Sequence, residues 1–178
     1  MLYCIKDMLI PYSKIMGTPL LEIRNQAKLG TVFDVVIKKS DLSVSGLLVK
    51  TNKLIDRPRV VVASDILEVN PEGVVINNAG SLVSLGDVVR LSEAIHQGYH
   101  GLHQKVITRS GKRIGWVFDY LISSTDLTIT KLYIQTLFYE RIIPVSVITK
   151  FEGRKIIISD DFEFASLAAD IALEAEAA

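Results

Sequence analysis

The sequence carries one cysteine, Cys4, in 178 residues. No internal disulfide can form, and such sparse cysteine fits a reducing compartment. There is no excess of either charge. Lysine plus arginine equals aspartate plus glutamate at 20 each, for a formal net charge of +0. A chain-wide field that gathers nucleic acid or an anionic membrane is therefore excluded, and any such binding needs a local patch. Long apolar runs are missing as well. Hydrophobic residues make up 49% of the chain and mean hydropathy is +0.33. Yet runs such as Val60-Val-Val-Ala63 are strand-sized, against the roughly 20 residues of a membrane-spanning helix. The N-terminal stretch Met1–Ile10 is apolar but carries Asp7 and no small-residue cleavage site, so it does not read as a signal peptide. Finally, no nucleophile elbow, P-loop or dinucleotide fingerprint occurs. These absences predict a cytoplasmic, non-enzymatic protein without a cofactor.

What is present is a repeat, the first thing to seek in a chain of this size. Gly30-Thr-Val-Phe-Asp34-Val-Val-Ile37 aligns with Gly115-Trp-Val-Phe-Asp119-Tyr-Leu-Ile122 at an offset of 85. Across 30–49 and 115–134, eight of 20 positions are identical, where ordinary composition gives about one or two. After a three-residue shortening, Ser64-Asp-Ile66 meets Ser146-Val-Ile148 and Val74-Val-Ile76 meets Ile156-Ile-Ile158. Within each copy, short β-branched runs alternate with turn residues, the pattern of an all-β module. The expected strands are Leu20–Ile23, Leu29–Ile37, Val44–Lys50, Val60–Ala63 and Val74–Asn77, then Lys105–Thr108, Ile114–Ile122, Thr128–Gln135, Ile142–Val145 and Lys155–Ile158. Arg109-Ser-Gly-Lys112 reads as a hairpin turn with Gly111 at positive φ. So few strands cannot cover both faces of an open sheet, which predicts closure into a small barrel. Phe33 and Phe118, in the best-matched window, are expected at equivalent buried sites.

Between the copies Leu82, Leu85, Val88, Val89, Leu91 and Ile95 recur at helical spacing, with Gly98 as a stop. The tail after Asp160 shows a second stripe, Phe164, Leu167, Ala168 and Ile171, with acidic residues at its start. The expected organisation is a first barrel over 1–81, a helical linker over 82–98, a second barrel over 99–161 and an acidic helical tail over 162–178. The linker stripe is expected to pack against one or both barrels.

The basic-apolar pair followed by Gly-x-Val-x-Asp (Lys28-Leu29 and Arg113-Ile114, then Gly30 to Asp34 and Gly115 to Asp119) resembles the signature of PRC-barrel domains. So do the segments Val62-Ala-Ser64-Asp-Ile66 and Pro144-Val-Ser146-Val-Ile148. Members include the barrel of the photosynthetic reaction-centre H subunit and the C-terminal half of the ribosome maturation factor RimM. The resemblance implies two tandem, about six-stranded PRC-type barrels, a mainly β fold, and a non-catalytic protein-docking role. The chain lacks the membrane helix of the former and the first barrel of the latter.

Four groups of residues are candidates for chemistry. Gly30, Asp34, Gly115 and Asp119 form the repeated motif, and the two aspartates are expected as acceptors of backbone N–H groups rather than as an acid/base couple. His96, His100 and His103 have a spacing compatible with metal ligation, but Gly98 and Gly101 interrupt them and no acidic or cysteine ligand lies between. Lys105, Arg109, Lys112 and Arg113 form a basic cluster around one hairpin, a candidate contact for phosphate or RNA. Trp116, Tyr133, Phe138 and Tyr139 give the second copy an aromatic surplus, and Phe138-Tyr139 falls where the copies differ in length, so these two, with Trp116, are the favoured anchors for a protein partner. The leading reading is an adaptor that binds a protein. The alternatives are a ribosome- or RNA-associated factor and a small-ligand-binding protein with an apolar pocket. A second copy of the chain is a further candidate partner, through the face of the tail.

Overall fold

A computed structural model describes residues 8–51, 58–87 and 102–160. Its chemistry is that of β-branched side chains packed on pleated surfaces. In the first copy the strands are β2 (Pro19–Glu22), β3 (Ala27–Ile37), β4 (Val44–Thr51), β5 (Arg59–Val62), β6 (Ile66–Asn70) and β7 (Gly73–Ile76). They are preceded by β1 (Leu9–Pro11) and a single helical turn, α1 (Tyr12–Ile15), and followed by β8 (Val83–Ser84). In the second copy they are β9 (Lys105–Thr108), β10 (Arg113–Ser123), β11 (Ile129–Gln135), β12 (Glu140–Pro144), β13 (Ile148–Glu152) and β14 (Lys155–Ile158). The protein is mainly β, with two seven-stranded sheets.

The duplication is written into the hydrogen bonding. The first sheet has the order β6-β7-β2-β3-β4-β5-β8 and the second β13-β14-β9-β10-β11-β12, with β1 pairing β10 off that path. Equivalent pairs keep the same register. Leu20 faces Val74 across a parallel pair as Val106 faces Ile156, and Leu47 faces Val61 as Leu132 faces Ile143. The Val62-x-Ser64 and Pro144-x-Ser146 segments form matching 3-10 turns, Ala63–Asp65 and Val145–Val147. β6 and β13 were not among the expected strands, and both lie just after these turns.

The order is a path with two ends, and among the described residues no pairing joins the ends of either sheet. The closed barrel expected from the strand count is thus not shown. The core is enclosed by side-chain burial: Leu20, Val32, Val49, Val60 and Val74 in the first copy and Val106, Val117, Tyr120, Ile134, Ile143 and Ile158 in the second are inaccessible to solvent.

Three expectations need correction. Phe33 is 42% exposed and Phe118 is half-buried. The cause is a bulge: Val32 pairs with Val49 and Asp34 with Leu48, which leaves Phe33 as the extra residue and reverses the inside-outside phase along β3. Phe118 instead packs its ring 5.8 Å from that of Tyr133. The linker helix does not begin at Leu82. Val83 pairs with Val60 in β8 and packs on the buried cluster of Val36, Leu48 and Val60, and Leu85–Asp87 make one 3-10 turn. Tertiary pairing has here overridden a helical spacing. The rest of the linker from residue 88, and the tail from 161, lie outside the described residues.

The described residues divide into two compact units. The first runs to Asp87 and also takes in 122–128; the second comprises 102–121 and 129–160. In the first unit, Ser124 N–H donates to the Met8 carbonyl (2.8 Å) and Val44 N–H to the Leu127 carbonyl (2.7 Å). The tips of the two equivalent hairpins share a conformation, with Leu42 and Leu127 both in the left-handed region (φ 55° and 52°). In the first of these tips, Asp41 accepts the Lys38 ammonium at 2.7 Å and the Ser43 hydroxyl at 2.6 Å, and these bonds hold its carboxyl down to about 2. A carboxylate depressed in the folded state stabilises above its unfolded value, about 3.9, and that contribution is lost as pH falls through about 2. The pair is exposed, so the effect on stability stays below about 1 kcal/mol. Carboxyl 13C titration should place the Asp41 midpoint near 2, and Lys38→Met should move it up. An unchanged midpoint in that variant would remove the lysine as the cause.

Candidate functional site

The repeated glycines are places where two strands touch. A Cβ on Gly30 would sit 2.5 Å from the Lys50 carbonyl oxygen and 2.7 Å from Val49 Cγ1. One on Gly115 would meet the equivalent atoms, the Gln135 carbonyl oxygen and Ile134 Cγ2 (2.8 Å). Only a residue without a side chain lets β3 and β10 approach their neighbours so closely. Four residues on, Asp34 Oδ1 accepts the Val35 N–H and Asp119 Oδ1 the Tyr120 N–H, each at 2.8 Å; the Tyr12 hydroxyl also donates to Asp34 (3.1 Å). Both carboxylates are thereby tied to backbone.

The close approach at Gly115 has a functional consequence for the second unit. It draws the end of β11 against the start of β10, so the β11–β12 turn stands beside the segment 112–116. Together they form an open hollow of about 480 Å³ lined by Lys112, Arg113, Ile114, Gly115, Trp116, Thr136, Leu137, Phe138, Tyr139 and Arg141. The turn is pre-ordered by one side chain. Thr136 Oγ1 accepts the Tyr139 N–H (2.9 Å) and the Phe138 N–H (3.3 Å) and donates to the Tyr139 carbonyl (3.0 Å). The apolar tip is nonetheless in solvent: Leu137 is 82%, Phe138 83% and Tyr139 63% exposed. Each of these carries the cost of an unburied large side chain, which marks a surface built for contact.

Cations frame the aromatics. The Arg113 guanidinium lies 5.3 Å from the Trp116 ring centroid and that of Arg141 6.0 Å from Tyr139, both within cation–π range. Phe138 and Tyr139 meet edge to face at 6.2 Å. None of the described residues that line it is a carboxylate. The chemistry available is capture of a ligand that is both anionic and apolar or aromatic. The one hydroxyl that closes the turn, that of Thr136, is committed to backbone bonds and is poorly placed as a nucleophile.

The structure thus joins two groups that the sequence kept apart. The favoured aromatics, Trp116, Phe138 and Tyr139, share the hollow with Lys112 and Arg113, while Lys105 and Arg109 from the same basic run do not line it. The hairpin turn itself already holds an anion: Asp160 Oδ1 accepts the Ser110 N–H (3.0 Å) and hydroxyl (2.7 Å), and these bonds lower its pKa. An incoming phosphate would have to displace that carboxylate. Leu137 and Arg141 were missed. Arg141 was legible in principle, because period-two spacing puts it on the same side of the chain as Tyr139. Of the three histidines, His103 is exposed at φ 59°, and His96 and His100 lie outside the described residues. The connection 52–57, equivalent to the β11–β12 turn, lies outside them too. Among the described residues, no helix is long and apolar enough to cross a membrane. No protein-family model matches the chain, and no curated protein matches it either.

Proposed function

We propose that this chain is a non-catalytic docking protein of tandem PRC-barrel type, and that the hollow of the second unit holds an acidic, aromatic-bearing segment of a protein partner. The observation that carries the reading is the turn Leu137–Tyr139, fixed by Thr136, exposed at its apolar tip and framed by Lys112, Arg113 and Arg141. A pre-ordered aromatic anchor loses little side-chain freedom on binding, and a cationic frame selects for the sign of the partner. Stacking of single-stranded RNA on the same aromatics is the second reading, supported by the same arginines. It is disfavoured at the neighbouring hairpin turn, where Asp160 occupies the Ser110 donors.

The test is a titration of the protein with three labelled probes: acidic peptides that carry one Phe or Trp, single-stranded RNA, and anionic vesicles. Peptide binding is expected, and Phe138→Ala should weaken it by about 30-fold or more, the scale of an interface hot spot. Arg113→Glu with Arg141→Glu should abolish it. Binding of RNA alone would replace this reading with the nucleic-acid one, and vesicle binding alone would replace it with a membrane role. No binding of any peptide would end it.

A further inference from the structure

Asp160 ends the described chain at the Ser110 turn, two residues before Lys112, which begins the wall of the hollow. From there the sequence continues as Asp161-Phe-Glu-Phe-Ala-Ser-Leu167 and runs on to Ala178. This segment carries five carboxylates (Asp161, Glu163, Asp170, Glu174 and Glu176), two phenylalanines at its start, and neither lysine nor arginine. Its composition is complementary to the hollow, whose described lining carries three cations, Lys112, Arg113 and Arg141, an aromatic wall and no carboxylate.

We infer that residues 161–178 of the chain itself are a ligand of this hollow, bound in cis from the Asp160 anchor. The inference uses the hollow as a binding surface and so rests on the docking reading above. Four residues of extended chain span about 14 Å, and Lys112, the first residue of the wall, is two positions from Ser110, which brings the Lys112 side of the hollow within range of Phe162 and Phe164. Tethering removes the need for high affinity. A segment on a short leash has an effective concentration in the millimolar range, so contacts that are weak in isolation keep the hollow filled. The tail is then an internal competitor. An acidic partner must displace it, and the apparent affinity of the hollow is lowered by the fraction of time the tail occupies it.

The experiment uses the full chain with Cys4→Ser and Ala165→Cys, a nitroxide on the new thiol, and relaxation broadening read at assigned amides. Strong broadening is expected at Leu137, Phe138, Tyr139 and the Trp116 indole, and Arg113→Glu with Arg141→Glu should remove it. Mixing 15N-labelled chains that lack the nitroxide with unlabelled spin-labelled chains should give no broadening there. In a second measurement a synthetic peptide of residues 161–178 is the probe. Phe162→Ala with Phe164→Ala in the chain should tighten its binding by about tenfold, the expected release of a tethered competitor. Unbroadened signals around the hollow, together with unchanged peptide affinity, overturn the inference. Broadening seen only in the mixed sample overturns it in favour of a second copy as the occupant. If acidic peptides still bind while the tail does not, this inference falls and the docking reading stands.

Discussion

Replacing Tyr120 by alanine should destabilise the second unit by about 3–5 kcal/mol, the usual cost of truncating a fully buried aromatic. Tyr120 heads the fully buried side chains ranked by volume, with 0% exposure, and it fills the place that Val35 fills in the first copy. Phe33→Ala, by contrast, should cost under about 1 kcal/mol, since the bulge places that ring largely in solvent. Urea unfolding would read both as midpoint shifts at unchanged slope. Equal losses for the two variants would mean that the bulge is absent in solution and that the strand runs in the phase read from alternation alone.

The second large effect lies at the strand contact. Gly115→Val puts a branched side chain where even a Cβ overlaps the Gln135 carbonyl and Ile134. Because the obstacle includes backbone, relief requires separating β10 from β11. We expect a loss of about 3 kcal/mol or more, at or beyond the top of the usual overpacking range. Gly30→Val should act alike on the first copy through Lys50 and Val49. The hollow should fail along with stability at Gly115, since its two walls are held together there, whereas Gly30→Val should leave peptide binding to the second unit unaffected. A Gly115→Val protein of normal stability and binding would remove the close approach as the organising element of the site.

How much of this was legible in the sequence depends on how local the determining physics is. Duplication, turn chemistry and β-branched runs are local, and they give the strands Lys105–Thr108 and Lys155–Ile158 to the residue. A bulge adds one residue to one strand and so is invisible to a pattern of period two; Phe33 was misplaced for that reason. β6 and β13 were missed because Ile66-Leu-Glu-Val-Asn70 and Ile148-Thr-Lys-Phe-Glu152 mix charge with apolar residues and have half-exposed patterns. Leu82 and Leu85 have helical spacing, but the strand pairing that decides the state of the segment, Val83 with Val60, reaches back more than twenty residues. At the site, the aromatics could be picked out from the difference in loop length between the copies. Their union with Arg113 and Arg141 could not, because it depends on a strand contact that a glycine only permits.

The parallel pairing of β2 with β7, and of β9 with β14, bears on how the chain reaches its native state. The first strand of each copy pairs locally with the next strand but finds its second partner only roughly 50 residues later, so each sheet must close a long loop before this parallel pairing forms. During synthesis β2 waits, unpaired on one side, until β7 has left the ribosome. A tandem copy of the same topology, with β9 in the same role, then competes for that vacancy, and exchange between neighbours is a characteristic failure of repeated domains. The two copies differ in size at an equivalent core position, Val35 against Tyr120. An exchange that carried β10 into the first module would bring Tyr120 to the place of the buried Val35, an overpacking that disfavours the exchanged pairing.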